Sequence, residues 1–239
     1  MINGTIMEYF EWYLLPKCKL WNEIAKDATN LHQLGITAVW MPPAYKGISG
    51  IYDVGYGAYD LYDLGEFNQK GTIETKYGSK DEYLSAIKIL KENSIQAYGD
   101  IVLNHKMGAD EAEEVMASEE EFFNRNIPIN GNRMIRAWTK FTFPGRNNKY
   151  SSFKWNWNDF DGIDYDDKTK RSSIYKFLTK EWNSGVDSEN GNYDYLMGAD
   201  LDFSNREVIE ELKKWGKWYV DFTKIDGFRL DAVKHISYG

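Results

Sequence analysis

Apolar residues in the first hundred positions follow two alternating rhythms. GTIMEYF, residues 4–10, is a short extended run and reads as a strand. Trp21, Ile24, Ala28, Leu31 and Leu34 then recur three and four apart, the stripe of a helix, and Gly35 stops it. TAVWMPP, 37–43, is a second strand closed by two prolines. Ser79 stands where it can cap a helix with Tyr83, Ile87 and Leu90 on one face. AYGDIVLNH, 97–105, is a third buried strand. From about 106 to 203 the alternation is lost. An acidic stretch, ADEAEEVMASEEEFF, gives way to sequence rich in aromatics, Gly and Asn. That length exceeds an ordinary loop and predicts an inserted subdomain. The rhythm resumes at Asn205, a candidate cap for a helix with Val208, Leu212, Trp215, Tyr219 and Phe222 in one stripe. IDGFRLDAV, 225–233, is a fourth buried strand.

Strands alternating with helices predict an α/β fold with a parallel sheet and right-handed crossovers. Four such units make either a small open sheet or the first half of an eight-stranded barrel. The apolar share of the 239 residues, 42%, is ample for a core. A net charge of −8 argues against a nucleic-acid partner, which requires a basic face. A single cysteine, Cys18, excludes an intramolecular disulfide framework. No apolar run approaches membrane-spanning length, and the N-terminus lacks the basic and apolar regions of a signal peptide. The expectation is a cytoplasmic protein without a membrane partner; a secreted protein from which a signal peptide has been removed would read the same way.

In both parallel architectures ligands bind at the carboxyl ends of strands. Asn104 and His105 close the third strand. Arg229 and Asp231 stand two apart on the fourth, followed by Lys234 and His235. The loop GYGAYDLYDLG supplies Tyr56. A buried ion pair accounts for Arg229 and Asp231 as well as a nucleophile held ionised by a guanidinium does. A carbonyl-bonded histidine accounts for His105 as well as a donor to substrate does. ENGNYDYLMGADLDF, with Asp194, Asp200 and Asp202, is either a solvated acidic loop or a calcium site rich in hard oxygen ligands. The aromatic share, 16% with nine Trp and seventeen Tyr, fits a large core or a surface that stacks sugar rings.

GYGAYDLYDLGEF, DIVLNHKMGAD, GNYDYLMGADLDF and DGFRLDAVKHI together resemble the liquefying bacterial α-amylases. HQLGITAVWMPPAYKG extends the likeness over essentially the whole chain, and the bare N-terminus with YLMGADLDFSNREV looks most like the cytoplasmic branch. The resemblance implies a (β/α)8 TIM barrel, of which this chain matches the N-terminal half: residues 1–103 as strands one to three, 104–204 as an inserted B domain, and 205–239 as the third helix and fourth strand. It implies retaining endo-hydrolysis of α-1,4 bonds in starch-like glucans. Asp231 matches the nucleophile and Arg229 the residue that keeps it ionised. His105 and Tyr56 match residues around the scissile sugar, and Lys234 and His235 residues on the leaving-group side. Asn104, Asp194, Asp200 and the His235 carbonyl match a structural calcium site. Asp161 and Asp202 match a further metal cluster, but Asn183 and Ser204 stand where thermostable relatives carry carboxylates, so one calcium site is expected. The family's general acid, a Glu on barrel strand five, would lie beyond Gly239. The expected partners are therefore the C-terminal half of the same protein and an α-glucan, and the isolated chain is expected to be inactive. A non-catalytic glucan-binding protein and a transglycosylase of the same clan remain open readings.

Overall fold

A computed structural model describes residues 4–237. The chain divides into two units. The first takes the sequence up to Val102 with Pro144–Ser151 and Lys214–Leu230; the second takes Leu103–Phe143, Ser152–Lys213 and the residues from Asp231.

Unit 1 is built on a four-stranded parallel sheet in the order β1-β2-β5-β12. Its strands are β1 (Ile6–Glu8), β2 (Ala38–Met41), β5 (Gln96–Ile101) and β12 (Gly227–Leu230). The intervening helices are α1 (Leu20–Gln33), α2 (Lys80–Glu92) and α3 (Arg206–Thr223), each within a few residues of its predicted span. A short antiparallel pair, β3 (Lys46–Gly47) with β4 (Ala58–Asp60), lies in the β2–α2 connection. Of the stripe the periodicity predicted, Trp21, Ile24, Ala28 and Leu31 are buried, whereas Leu34 is exposed because α1 ends at Gln33 and Leu34 is its C-cap. Ser79 caps α2 in a full capping box with Glu82. Asn205 accepts the Glu207 amide at 3.0 Å and caps α3. Across the core the hydroxyls of Tyr83 and Tyr219 meet at 2.6 Å, so two buried phenols satisfy each other.

The fourth strand departs from expectation. Its apolar run predicted burial on both sides, yet Phe228 and Leu230 are 39% and 52% exposed. The reason is position. β12 pairs only with β5, and β1 only with β2, so both are edges of the sheet among the described residues.

Unit 2 is a six-stranded sheet in the order β6-β11-β9-β10-β7-β8. Its strands are β6 (His105–Lys106), β7 (Glu111–Glu120), β8 (Pro128–Lys140), β9 (Phe160–Asp166), β10 (Arg171–Phe177) and β11 (Ala199–Leu201), and every pairing is antiparallel. The acidic stretch is thus the long strand β7 of a hairpin. Gly162 on β9 is required by contact: a Cβ there would meet the Tyr175 carbonyl at 2.5 Å and the Trp182 ring at 2.8 Å. The third predicted strand is also shorter than its apolar run. β5 stops at Ile101, and His105 opens β6 in the other sheet. No described helix is long and apolar enough to cross a membrane.

Candidate functional site

Two clusters gather the predicted residues, one in each unit. In unit 1 the organiser is Asp100 on β5, fully buried. It accepts the Tyr56 hydroxyl at 2.8 Å, the Trp40 indole N–H at 3.0 Å and an Arg229 guanidinium N–H at 3.0 Å. Register explains the last bond, since Arg229 and Asp100 are partners across the β12–β5 ladder. The guanidinium also lies 4.9 Å from the Trp40 ring. Burial raises the Asp100 pKa, while the three donors and the Arg229 charge pull it down. The Tyr56 ring stacks on Trp12, centroids 5.5 Å apart and planes 15° apart. Asp100 and Trp40, unlike Tyr56 and Arg229, were not singled out from sequence. The signal was there: a lone carboxylate within the apolar run AYGDIVLNH requires a built partner set.

Asp231 follows β12 directly. The two-residue alternation does not continue past it, because Ala232 turns into the left-handed region at φ 54°. Lys234 and His235 then fold against the 187–195 segment. Lys234 Nζ pairs with Glu189 at 2.8 Å, and the Asp187 amide donates to the Lys234 carbonyl at 2.9 Å. His235 Nδ1 contacts the Tyr193 carbonyl at 2.5 Å, so Nδ1 carries the proton. Burial holds its pKa below the usual histidine value.

The second cluster is acidic. Asp161, Asp194 and Asp200, all buried, can each point a carboxylate oxygen so that the three lie within 4.8 Å of one another. Asn104 Nδ2 donates to Asp200 Oδ1 at 3.2 Å, and His105 sits opposite Asp200 in the β6–β11 ladder. Asp200 Oδ2 is buried without a hydrogen-bond partner. Burial drives the pKa values upward, with neighbouring carboxylates adding to it: Asp161 to about 9, Asp194 to about 6, and Asp200 well above the carboxylate range. Three desolvated acids around an orphaned oxygen fit a hard divalent cation, which would replace protons by charge.

Asp202 is not one of these three, although its charge raises both Asp161 and Asp194. Its Oδ2 holds the Lys180 ammonium at 2.5 Å, and its Oδ1 accepts the Ser204 hydroxyl at 2.5 Å and amide at 2.8 Å. Lys180 Nζ also donates to the Asn158 carbonyl at 2.6 Å. Asn183 Nδ2 joins Asp161 Oδ2 at 2.9 Å to Asp194 Oδ2 at 3.2 Å. Lys180, another residue not singled out from sequence, thus supplies the positive charge at Asp202.

A family model described as the alpha-amylase catalytic domain matches residues 21–239. The chain belongs to the alpha-amylase family. It is 60% identical over 238 residues to an alpha-amylase of Geobacillus stearothermophilus, covering 99% of this chain and 43% of that one. It is 47% identical over 240 residues to a cytoplasmic alpha-amylase of Escherichia coli K12, covering 99% of this chain and 48% of the relative. The chain spans about half the length of these relatives. An alpha-amylase structure from Geobacillus thermoleovorans superposes with a TM-score of 0.52 at 19% identity, over 99% of this chain and 40% of that chain, a likeness of fold. The four parallel strands and their crossovers are the first βα units of the family's (β/α)8 barrel, and the six-stranded sheet is its insertion after strand three.

Proposed function

We propose that this chain is the nucleophile-bearing half of an enzyme that hydrolyses internal α-1,4 bonds of starch, glycogen or maltooligosaccharides with retention. The observation that carries the reading is the Asp100 cluster, which draws Tyr56 and Arg229 onto one buried carboxylate, on strands β5 and β12, the latter leading directly to Asp231. Asp231 attacks the anomeric carbon, the bond to the departing glucan oxygen breaks, and a general acid protonates that oxygen. Water then cleaves the glycosyl–Asp231 ester. The two carboxyl groups of such an enzyme lie about 5–5.5 Å apart. Arg229 keeps Asp231 ionised, His105 and Tyr56 bind the scissile sugar, and Lys234 and His235 bind the leaving-group side.

The general acid comes from the C-terminal half of the protein. Without it the alkoxide leaves unprotonated, at a cost of about two to four orders of magnitude in rate. Calcium is the proposed cofactor, held by Asn104, Asp194, Asp200 and the His235 carbonyl, with Asp161 beside them; its role is to fix the segments that carry these residues. We assign the protein to the cytoplasm, in keeping with the relative named for that compartment.

The test is hydrolysis of a blocked maltoheptaoside with calcium present. The 239-residue chain and its Asp231→Asn variant should both be silent, and the chain joined to its C-terminal half should turn over unless it carries Asp231→Asn. Turnover by the 239-residue chain that Asp231→Asn abolishes would sink the assignment of the acid.

A further inference from the structure

We propose that Arg125 is a positioning residue for the leaving-group side of the reaction, acting through Tyr193 on Lys234 and His235. The inference rests on the glucan reading above and deepens it, because it says what fixes those two residues in place.

Arg125 lies in the connection between β7 and β8, beyond Glu120 and before Pro128. It is 3% exposed, an unusual place for a guanidinium. Its contacts reach the segment 187–195 at three points. The side chain donates to the Tyr195 carbonyl, the guanidinium carbon lies 4.4 Å from the Tyr193 ring centroid, and the backbone amide donates to the Asn190 carbonyl at 2.9 Å. Its neighbours add to the clasp. Asn126 Nδ2 donates to the Gly191 carbonyl at 3.0 Å, and a Cβ at Gly191 would meet Asn124 Oδ1 at 2.4 Å. The Arg125 carbonyl in turn accepts the Trp182 indole N–H at 3.0 Å. The segment depends on such holds, because the chain forms no strand between β10 and β11 among the described residues.

The same segment is what Lys234 and His235 rest on. Lys234 Nζ lies 4.4 Å from the Tyr193 ring centroid and 2.8 Å from Glu189. The Lys234 side chain is 45% exposed and that of Glu189 57%, so their ion pair alone holds the ammonium weakly. The Tyr193 ring is the second hold. His235 meets that ring edge-on, with centroids 4.3 Å apart and planes at 78°, and donates its Nδ1 proton to the Tyr193 carbonyl. One tyrosine thus sets both the ammonium and the imidazole, and Arg125 is the buried group that sets the tyrosine. An ammonium on a flexible four-carbon stem favours a departing glucan only when its place is fixed.

The test uses the chain joined to its C-terminal half, with calcium in excess so that no effect runs through the metal. Two substrates are compared by kcat/KM. A blocked maltoheptaoside has a departing glucan to be held, whereas α-maltotriosyl fluoride releases fluoride and needs no sugar site on that side. Arg125→Met should cost at least about tenfold on the heptaoside and less than about twofold on the fluoride. Tyr193→Leu should show the same split, and the double variant should add little to either single loss. Should Arg125→Met fail to fold, Arg125→Lys keeps a cation without the flat guanidinium and carries the test, with a severalfold loss on the heptaoside alone. Equal losses on both substrates would make Arg125 merely structural, and an unchanged heptaoside rate would leave it without a role; either overturns the proposal and leaves the glucan reading standing. A wild-type joined chain that cleaves neither substrate would overturn both.

Discussion

At the scale of single residues, two carboxylates show how burial chooses a partner set. Asp100 has no access to water, so its charge survives on three donors, one of them a guanidinium. Asp100→Asn keeps the shape but removes the charge that Arg229 answers. The expected cost is about 1–3 kcal/mol in a urea melt. In the complete enzyme, kcat should fall more than KM rises, because Tyr56 and Arg229 lose their shared anchor. Asp202 illustrates the opposite case. Lys180, Ser204 and Asn205 occupy both of its oxygens, leaving the Asp161, Asp194 and Asp200 group to one ion. Equilibrium dialysis should return one tightly bound calcium per chain. Asn183→Asp with Ser204→Asp adds two carboxylates beside Asp161 and Asp202 and should raise that number; two ions on the wild-type chain would contradict the assignment.

At the scale of elements, local signals and distant partners contribute differently. The capping box of α2 is local, and Ser79→Ala should cost about 1 kcal/mol. The β3–β4 connection depends on Lys46, which is fully buried. Its ammonium donates to the Thr72 carbonyl at 2.7 Å and the Ile73 carbonyl at 2.5 Å, with Asp63 at 3.6 Å. Burial lowers its pKa, and the neighbouring Asp63 and Asp60 carboxylates offset this only in part. Lys46→Met should therefore be severe, about 3–5 kcal/mol, because it leaves carbonyls and a carboxylate buried without their cation. A midpoint shift below about 1 kcal/mol in chemical denaturation would show that the loop tolerates the loss.

For the whole molecule, pH and calcium act on the same groups. In the calcium-free chain Asp161 and Asp194 are raised from 3.8 to about 9 and about 6. Carboxyls that hold protons more tightly when folded stabilise the fold at low pH, and that stability is lost as pH rises through the folded values. The melting temperature in EDTA should thus fall from about pH 3.8 to about pH 9, most steeply below pH 6, where both groups contribute. Calcium competes for the same oxygens, so the gain on adding it should grow over that interval. A calcium gain that is flat with pH would separate the metal from these carboxylates. The exposed edges carry a second expectation. Ile6 on β1, with Phe228 and Leu230 on β12, presents apolar surface on unpaired strands, so light scattering should show self-association at micromolar concentration.

The sequence by itself determined the local order and the chemistry on offer. Periodicity found α1 and α3, Ser79 marked the α2 cap, and four motifs carried the family likeness, because each depends on neighbours a few residues away. Only the tertiary structure decided how those residues are used. ADEAEEVMASEEEFF lies where the sequence shows no strand–helix rhythm, yet it forms β7, with Arg133 and Arg171 from other strands answering its Glu119. Register sets Arg229 against Asp100, 129 residues earlier, a partner that the spacing of Arg229 and Asp231 does not name. The β12 run looked buried and lies at an edge. In each case the deciding term was the desolvation of a charge or an apolar surface, and it depends on partners that only folding brings near.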